Sequence, residues 1–177
     1  MNGPASRLFI ALWPTAQLRH DLLAWRNGWQ WPKSATPVHA DKLHVTLYFL
    51  GDVETARIPE LAAALDIPFE PFELRFGRNV IWHKGIAVLE PDETPVGLLA
   101  LHASLGKVID DLGMPRDARP YKPHVTLARR AAAGTVMQPG PAIAWKVDSF
   151  ALMQSANDYT SLREYGRVGT PCPPATP

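Results

Sequence analysis

The tetrapeptide His-Val-Thr-Leu occurs twice in this chain, at 44–47 and again at 124–127. Each copy alternates as a half-buried β-strand does, so Val45 and Leu47 point one way while His44 and Thr46 point the other. The same holds for Val125 and Leu127 against His124 and Thr126. Each copy also follows a helical pattern. Leu18, Leu22, Trp25 and Trp29 recur at spacings of one helix face before the first copy. Leu98, Leu101, Leu105, Val108, Ile109 and Leu112 do so before the second. A strand, a helix and a motif-bearing strand, met twice, restrict the chain to a duplicated architecture.

The remaining segments fit that frame. Residues 8–12 read as a buried opening strand and 42–50 as the first motif strand, closed by Gly51-Asp52, with a short helix over 59–65. Strands are expected at 72–76, 79–82 and 86–89, the last two joined by the turn His83-Lys84-Gly85. Thr94 reads as the N-cap of the second long helix, with Pro95 in its first turn and Gly113 then Pro115 as its stop. Residues 123–129 form the second motif strand, and 145–155 with 159–165 a closing hairpin turning at Asn157-Asp158. The expected fold is α+β, with mostly antiparallel sheets and helices on the outside. Residues 1–169 read as one domain, and 170–177, with four prolines and no large apolar side chain, as a disordered tail.

Composition narrows the functions. Lys and Arg number 18 against 17 acids, a net charge of +1, so any anion must be held locally rather than by a global basic field. The single cysteine, Cys172, excludes an internal disulfide and a cysteine metal cluster. No apolar run is long enough for a bilayer-spanning helix. A cytoplasmic monomer that does not engage membranes is the expectation. There is no glycine-rich phosphate loop of the P-loop type.

If the two halves face one another, both His-Thr pairs meet in one cleft. Two histidines can serve as general acid and general base near neutral pH. Two threonine hydroxyls can donate to a charged oxygen. This set suits displacement at phosphorus with no metal and no cofactor. A zinc site is the competing use of two histidines, but neither motif carries an HxxxH spacing, a cysteine or an acid as a third ligand.

The paired His-x-Thr motifs resemble those of the 2H phosphoesterase superfamily. Three longer blocks are similar to the RNA 2′,3′-cyclic phosphodiesterases, also called 2′-5′ RNA ligases: Arg7-Leu8-Phe9-Ile10-Ala11-Leu12, Leu43-His44-Val45-Thr46-Leu47-Tyr48-Phe49-Leu50-Gly51, and Pro120-Tyr121-Lys122-Pro123-His124-Val125-Thr126-Leu127-Ala128-Arg129. The resemblance implies a bilobal fold, a duplicated one with two mostly antiparallel sheets facing a central cleft. It implies hydrolysis of a 2′,3′-cyclic phosphate at the end of an RNA or oligonucleotide to a 2′-phosphate. It also implies reversible ligation through a 2′-5′ bond. It implies His44 as proton donor to the leaving 3′ oxygen and His124 as the base, although the residues alone leave the two roles interchangeable. Thr46 and Thr126 would bind the phosphate, Phe49 would lie near the terminal base, and Arg129 would contact an RNA phosphate. The same two motifs would equally serve small cyclic phosphates or nucleotides, which is the alternative reading. Residues 78–85 lack the Pro/Arg-rich insertion common in that family, and the 155–159 turn is shorter than in many relatives.

Strict alternation sets a test for the flanking residues. Phe49 and Arg129 each lie five residues after a motif histidine, so a bulge or a strand end must redirect them if they are to reach the cleft. Tyr48, at an even spacing from His44, is the better geometric candidate for lining it. His20, His39, His83 and His102 read as surface or satisfied residues. Trp25, Trp29 and Trp31 read as packing, and Trp82 and Trp145 as core.

Overall fold

A computed structural model describes residues 4–117 and 119–166. The proline-rich segment 170–177, with Cys172, lies outside the described residues. Eleven strands and three α-helices follow the order β1 (Ala5–Leu12), α1 (Ala16–Asn27), β2 (Trp29–Gln30), β3 (Thr36–Pro37), β4 (Val45–Glu54), α2 (Ile58–Ala64), β5 (Phe72–Trp82), β6 (Ile86–Pro91), α3 (Val96–Asp111), β7 (Val125–Arg129), β8 (Thr135–Val136), β9 (Ile143–Val147), β10 (Ser149–Ser155) and β11 (Tyr159–Gly166).

Antiparallel pairing runs in the order β11-β10-β1-β4-β7-β6-β5-β9, with β3 added beside β7. The two anticipated sheets are thus two wings of one continuous, curled sheet. They meet between the two motif strands at the pair Val45–Val125. The curl has a topological signature: β9 and β10 lie in different wings, yet only Asp148 separates them in sequence. Two Cα steps span at most ~7.6 Å, so the far ends of the strand order are brought together. This splits the single strand anticipated over 145–155 at Asp148.

The main core lies between the wings and the helices. Leu8, Ile10 and Leu12 of β1, Val45 and Leu47 of β4, and Val125 and Leu127 of β7 are all in it. So are Leu22 and Trp25 of α1 and Leu98, Leu101, Leu105 and Ile109 of α3. Thr15 caps α1, its hydroxyl accepting from the Leu18 amide at 3.3 Å. Helix α1 stops at Gly28, so Trp29, expected on the helix face, instead pairs with Val136 in a separate two-stranded ladder and is still buried. Thr94 does not cap α3: Pro95 occupies that position without a side-chain bond, and its fixed φ suits the extended cap geometry found there. Residues 72–82 form one strand, with a register shift between Phe76 and Arg78 in place of the break expected there. Tyr121 ties the wings a second time, its hydroxyl donating to the Thr46 carbonyl at 3.3 Å.

Candidate active site

The seam pair Val45–Val125 fixes how the two motifs face each other. In antiparallel register around it, His44 comes opposite Thr126 and Thr46 opposite His124. The valines point into the core and the four polar residues point away from it, into a cleft of about 440 Å³. His44, Thr46, His124 and Thr126 all line this cleft, with Lys42, Phe49 and Arg129 beside them. Duplication thus places two copies of one strand motif head to tail across a single opening.

Both imidazoles are oriented alike. His44 Nδ1 donates to the Lys42 carbonyl at 2.8 Å, and His124 Nδ1 to the Lys122 carbonyl at 2.7 Å. A carbonyl can only accept, so Nδ1 carries the proton and Nε2 is left for other partners. His44 Nε2 accepts from the Thr46 hydroxyl at 2.9 Å. The accepting carbonyl lies two residues before each histidine and belongs to a lysine both times, so the true repeat is Lys-x-His-Val-Thr-Leu. That extension was readable in the sequence and is missed when the repeat is cut at four residues.

The surroundings of the two histidines differ. His44 sits among aromatic rings, 5.1 Å from Phe9, 5.6 Å from Trp13 and 5.5 Å from Tyr159 between centroids. Burial pushes its pKa down to about 4, with His124 and Arg19 adding to the effect and the Lys42 carbonyl opposing it. His124 packs on Trp82 at 4.3 Å. Its pKa is lowered too, chiefly by burial and further by Arg129, while the Lys122 carbonyl and Glu90 favour the charged form. In both rings burial disfavours the charged form.

A β-bulge in each copy decides the flanking residues. Opposite β1, Ile10 pairs with Tyr48 and Ala11 with Thr46, so Leu47 is an extra residue on β4. Opposite β6, Val88 pairs with Thr126 and Ala87 with Ala128, so Leu127 is the extra residue on β7. A bulge inverts the alternation beyond it. Phe49 is 50% exposed and Arg129 is exposed, and both line the cleft. Tyr48 turns the other way. It is 6% exposed, stacks on His102 at 4.2 Å and donates to the His102 carbonyl at 3.0 Å. Because strict alternation fails at Leu47, Tyr48 does not line the His-Thr cavity itself but the one that adjoins it.

Trp82 also departs from expectation. The register Trp82–Ile86, Val88–Thr126 puts it on the same face as Thr126, and its Nε1 donates to Glu90 Oε1 at 2.6 Å. It is a half-buried cleft residue rather than core. Trp145 is core, 7% exposed. His102 is satisfied, sandwiched between Tyr48 and Tyr121. His39 is exposed and lies at the rim of the cleft. Among the described residues, no three His, Cys, Asp or Glu side chains converge in an arrangement that could hold a metal ion. No helix among them is long and apolar enough to cross a membrane.

The seam of a curled antiparallel sheet thus carries two facing His-x-Thr strands. The family model of the 2′-5′ RNA ligase superfamily matches residues 16–159, and the chain belongs to that superfamily. A curated relative from Escherichia coli, named RNA 2′,3′-cyclic phosphodiesterase, is 32% identical, the alignment covering 93% of this chain and 98% of that protein. A second of the same name, from Thermus thermophilus, is 29% identical over 84% of this chain and 81% of its own length. Among solved structures, E. coli LigT complexed with 3′-AMP superposes with a TM-score of 0.81 at 30% identity, covering 92% of this chain and 98% of that one.

Proposed function

We propose that the protein is a metal-independent phosphodiesterase that opens 2′,3′-cyclic phosphates at RNA ends to 2′-phosphates. The observation that carries this reading is the seam register, which turns two identical His-x-Thr strands toward one cleft from opposite sides. In-line displacement at phosphorus needs a proton acceptor on the entering side and a proton donor on the leaving side. Water attacks phosphorus and gives its proton to Nε2 of His124. The P–O3′ bond breaks, and O3′ takes the proton from Nε2 of His44. Thr46 and Thr126 donate to the non-bridging oxygens, where negative charge grows. Phe49 offers a ring to the terminal base, and Arg129 a fixed positive charge to a phosphate. The names of the relatives support the substrate class, and the family's roles support this assignment of donor and base. The same displacement with a 5′-hydroxyl in place of water gives a 2′-5′ linkage.

The test is to incubate the protein, with EDTA present, with an oligonucleotide ending in a 2′,3′-cyclic phosphate and to map the product with phosphatases of known specificity. A 2′-phosphate formed at an undiminished rate is expected. Activity lost in EDTA and restored by a divalent ion, or a product that is only 3′-phosphate, would remove this reading.

The electrostatics also set a pH profile. Productive free enzyme needs one imidazole neutral and the other protonated, and burial lowers both pKa values below the ordinary ~6.5. The bell in kcat/KM is therefore expected to centre on the acid side of that value. A bound phosphate anion favours the protonated donor, so the alkaline limb of kcat should lie at higher pH than that of kcat/KM. A kcat/KM that stays flat up to pH 9 would exclude this acid-base pair.

A further inference from the structure

The cleft continues past the His-Thr row into a second cavity of about 510 Å³. The two share Thr46, Phe49, His124 and Arg129. Beyond these the second cavity is walled by Tyr48, Trp82, His102, Tyr121, Lys122 and Arg119 among others, and His44 is not part of it. Its chemistry is specific. Trp82 and Tyr121 supply aromatic rings, and the Lys122 ammonium lies 6.0 Å from the Trp82 ring centroid. Lys122, Arg119 and Arg129 outnumber Asp117, its one acidic lining residue, which is paired with Arg119. A third hollow, of about 280 Å³, opens on the other side of Tyr121 and Lys122. It carries Glu90, Asp92 and Glu93 and is unsuited to a phosphodiester.

We propose that the second cavity seats the nucleotide that precedes the cyclic phosphate in an RNA chain, with its base against Trp82 and the linking phosphate beside Lys122 and Arg119. This rests on the function proposed above. A chain that ends in a 2′,3′-cyclic phosphate continues in one direction only, through the 5′ oxygen of its last nucleotide. With that nucleotide in the first cavity, the chain must leave through a contiguous space that tolerates an anion, and the second cavity meets both conditions. Stacking on an aromatic face is indifferent to base identity, and cations follow the backbone, so the subsite would select for chain length and not for sequence. It separates an RNA-end enzyme from one built for small cyclic nucleotides, which would need the first cavity alone.

The experiment compares a mononucleoside 2′,3′-cyclic phosphate with a dinucleotide bearing the same terminus. The dinucleotide is expected to have a kcat/KM about tenfold higher, from one stacked base and one phosphate contact. Its log kcat/KM should also fall more steeply with log salt, by about 0.7 for the added contact. Arg119→Glu is expected to abolish both differences while leaving mononucleotide turnover unchanged, which also reports that the variant is folded. Equal kcat/KM for the two substrates in the parent protein, or an undiminished dinucleotide advantage in R119E, would overturn the subsite and leave the hydrolytic function standing. No turnover of either substrate would overturn the function and the subsite with it.

Discussion

His124→Ala and His44→Ala are each expected to slow single-turnover hydrolysis by about 10²–10⁴-fold, the ordinary worth of one general acid or base. The two losses should not multiply. Once one proton-transfer partner is gone the other has little left to assist, so the double variant should be only slightly slower than the worse single one. Stability should separate the pair. His44 fills a space bounded by Phe9, Trp13 and Tyr159. Truncating it removes packing and should cost about 1–2 kcal/mol, seen as a melting temperature lower by a few degrees. His124 has one ring neighbour, Trp82, and should cost less. Rates and melting curves on the same preparations make the comparison. Folded histidine variants that keep near parental rates would end the case for this site, as would activity losses that merely follow the unfolded fraction.

Thr46→Val with Thr126→Val is expected to lower kcat by about 10²–10³-fold, because together they withdraw the hydroxyl donors from the charge that grows on phosphorus oxygens. Valine keeps the shape and the β-branch, so the strands and the seam should persist. Each single change should be milder, since the other hydroxyl still reaches the phosphate, but they should not be equal. Thr46 also donates to His44 Nε2. When His44 is protonated that nitrogen becomes a donor, and the Thr46 hydroxyl is released toward the substrate. Losing Thr46 therefore disturbs two partners, and T46V should be slower than T126V. Equal rates for the two single variants would show that this bond has no part in the reaction.

The quartet proposed as catalytic was legible because strand alternation is a local rule and the motif obeys it as far as its threonine. The rule ends at Leu47 and Leu127, where a bulge inserts one residue opposite β1 and β6. A bulge depends on how the partner strand runs, so neither the inward turn of Tyr48 nor the outward turn of Phe49 could be read from the motif strand alone. Trp82 was hidden for a related reason. Its side is set by the chain of registers from Thr126 through Val88 to Ile86, and hydrophobicity alone assigned it to the core. The aromatic enclosure of His44 gathers residues from β1, the turn before α1 and β11, which are distant in sequence and meet only through the order of the sheet. The lysine two residues before each histidine, by contrast, is a plain part of the repeat.

Asp148 is the one residue between a strand at the end of one wing and a strand inside the other. With the seam at Val45–Val125, it fastens the wings along two lines rather than one. Jaws hinged at a single edge can gape to admit a ligand and close over it. Wings held by a backbone-paired seam at the spine and by a one-residue covalent link at the fore-edge have little freedom to rotate apart. The opening between them is therefore set when the chain folds. Substrate capture should be a one-step encounter with a preformed groove, its rate governed by diffusion and charge, with no slow closing phase between binding and the first proton transfer.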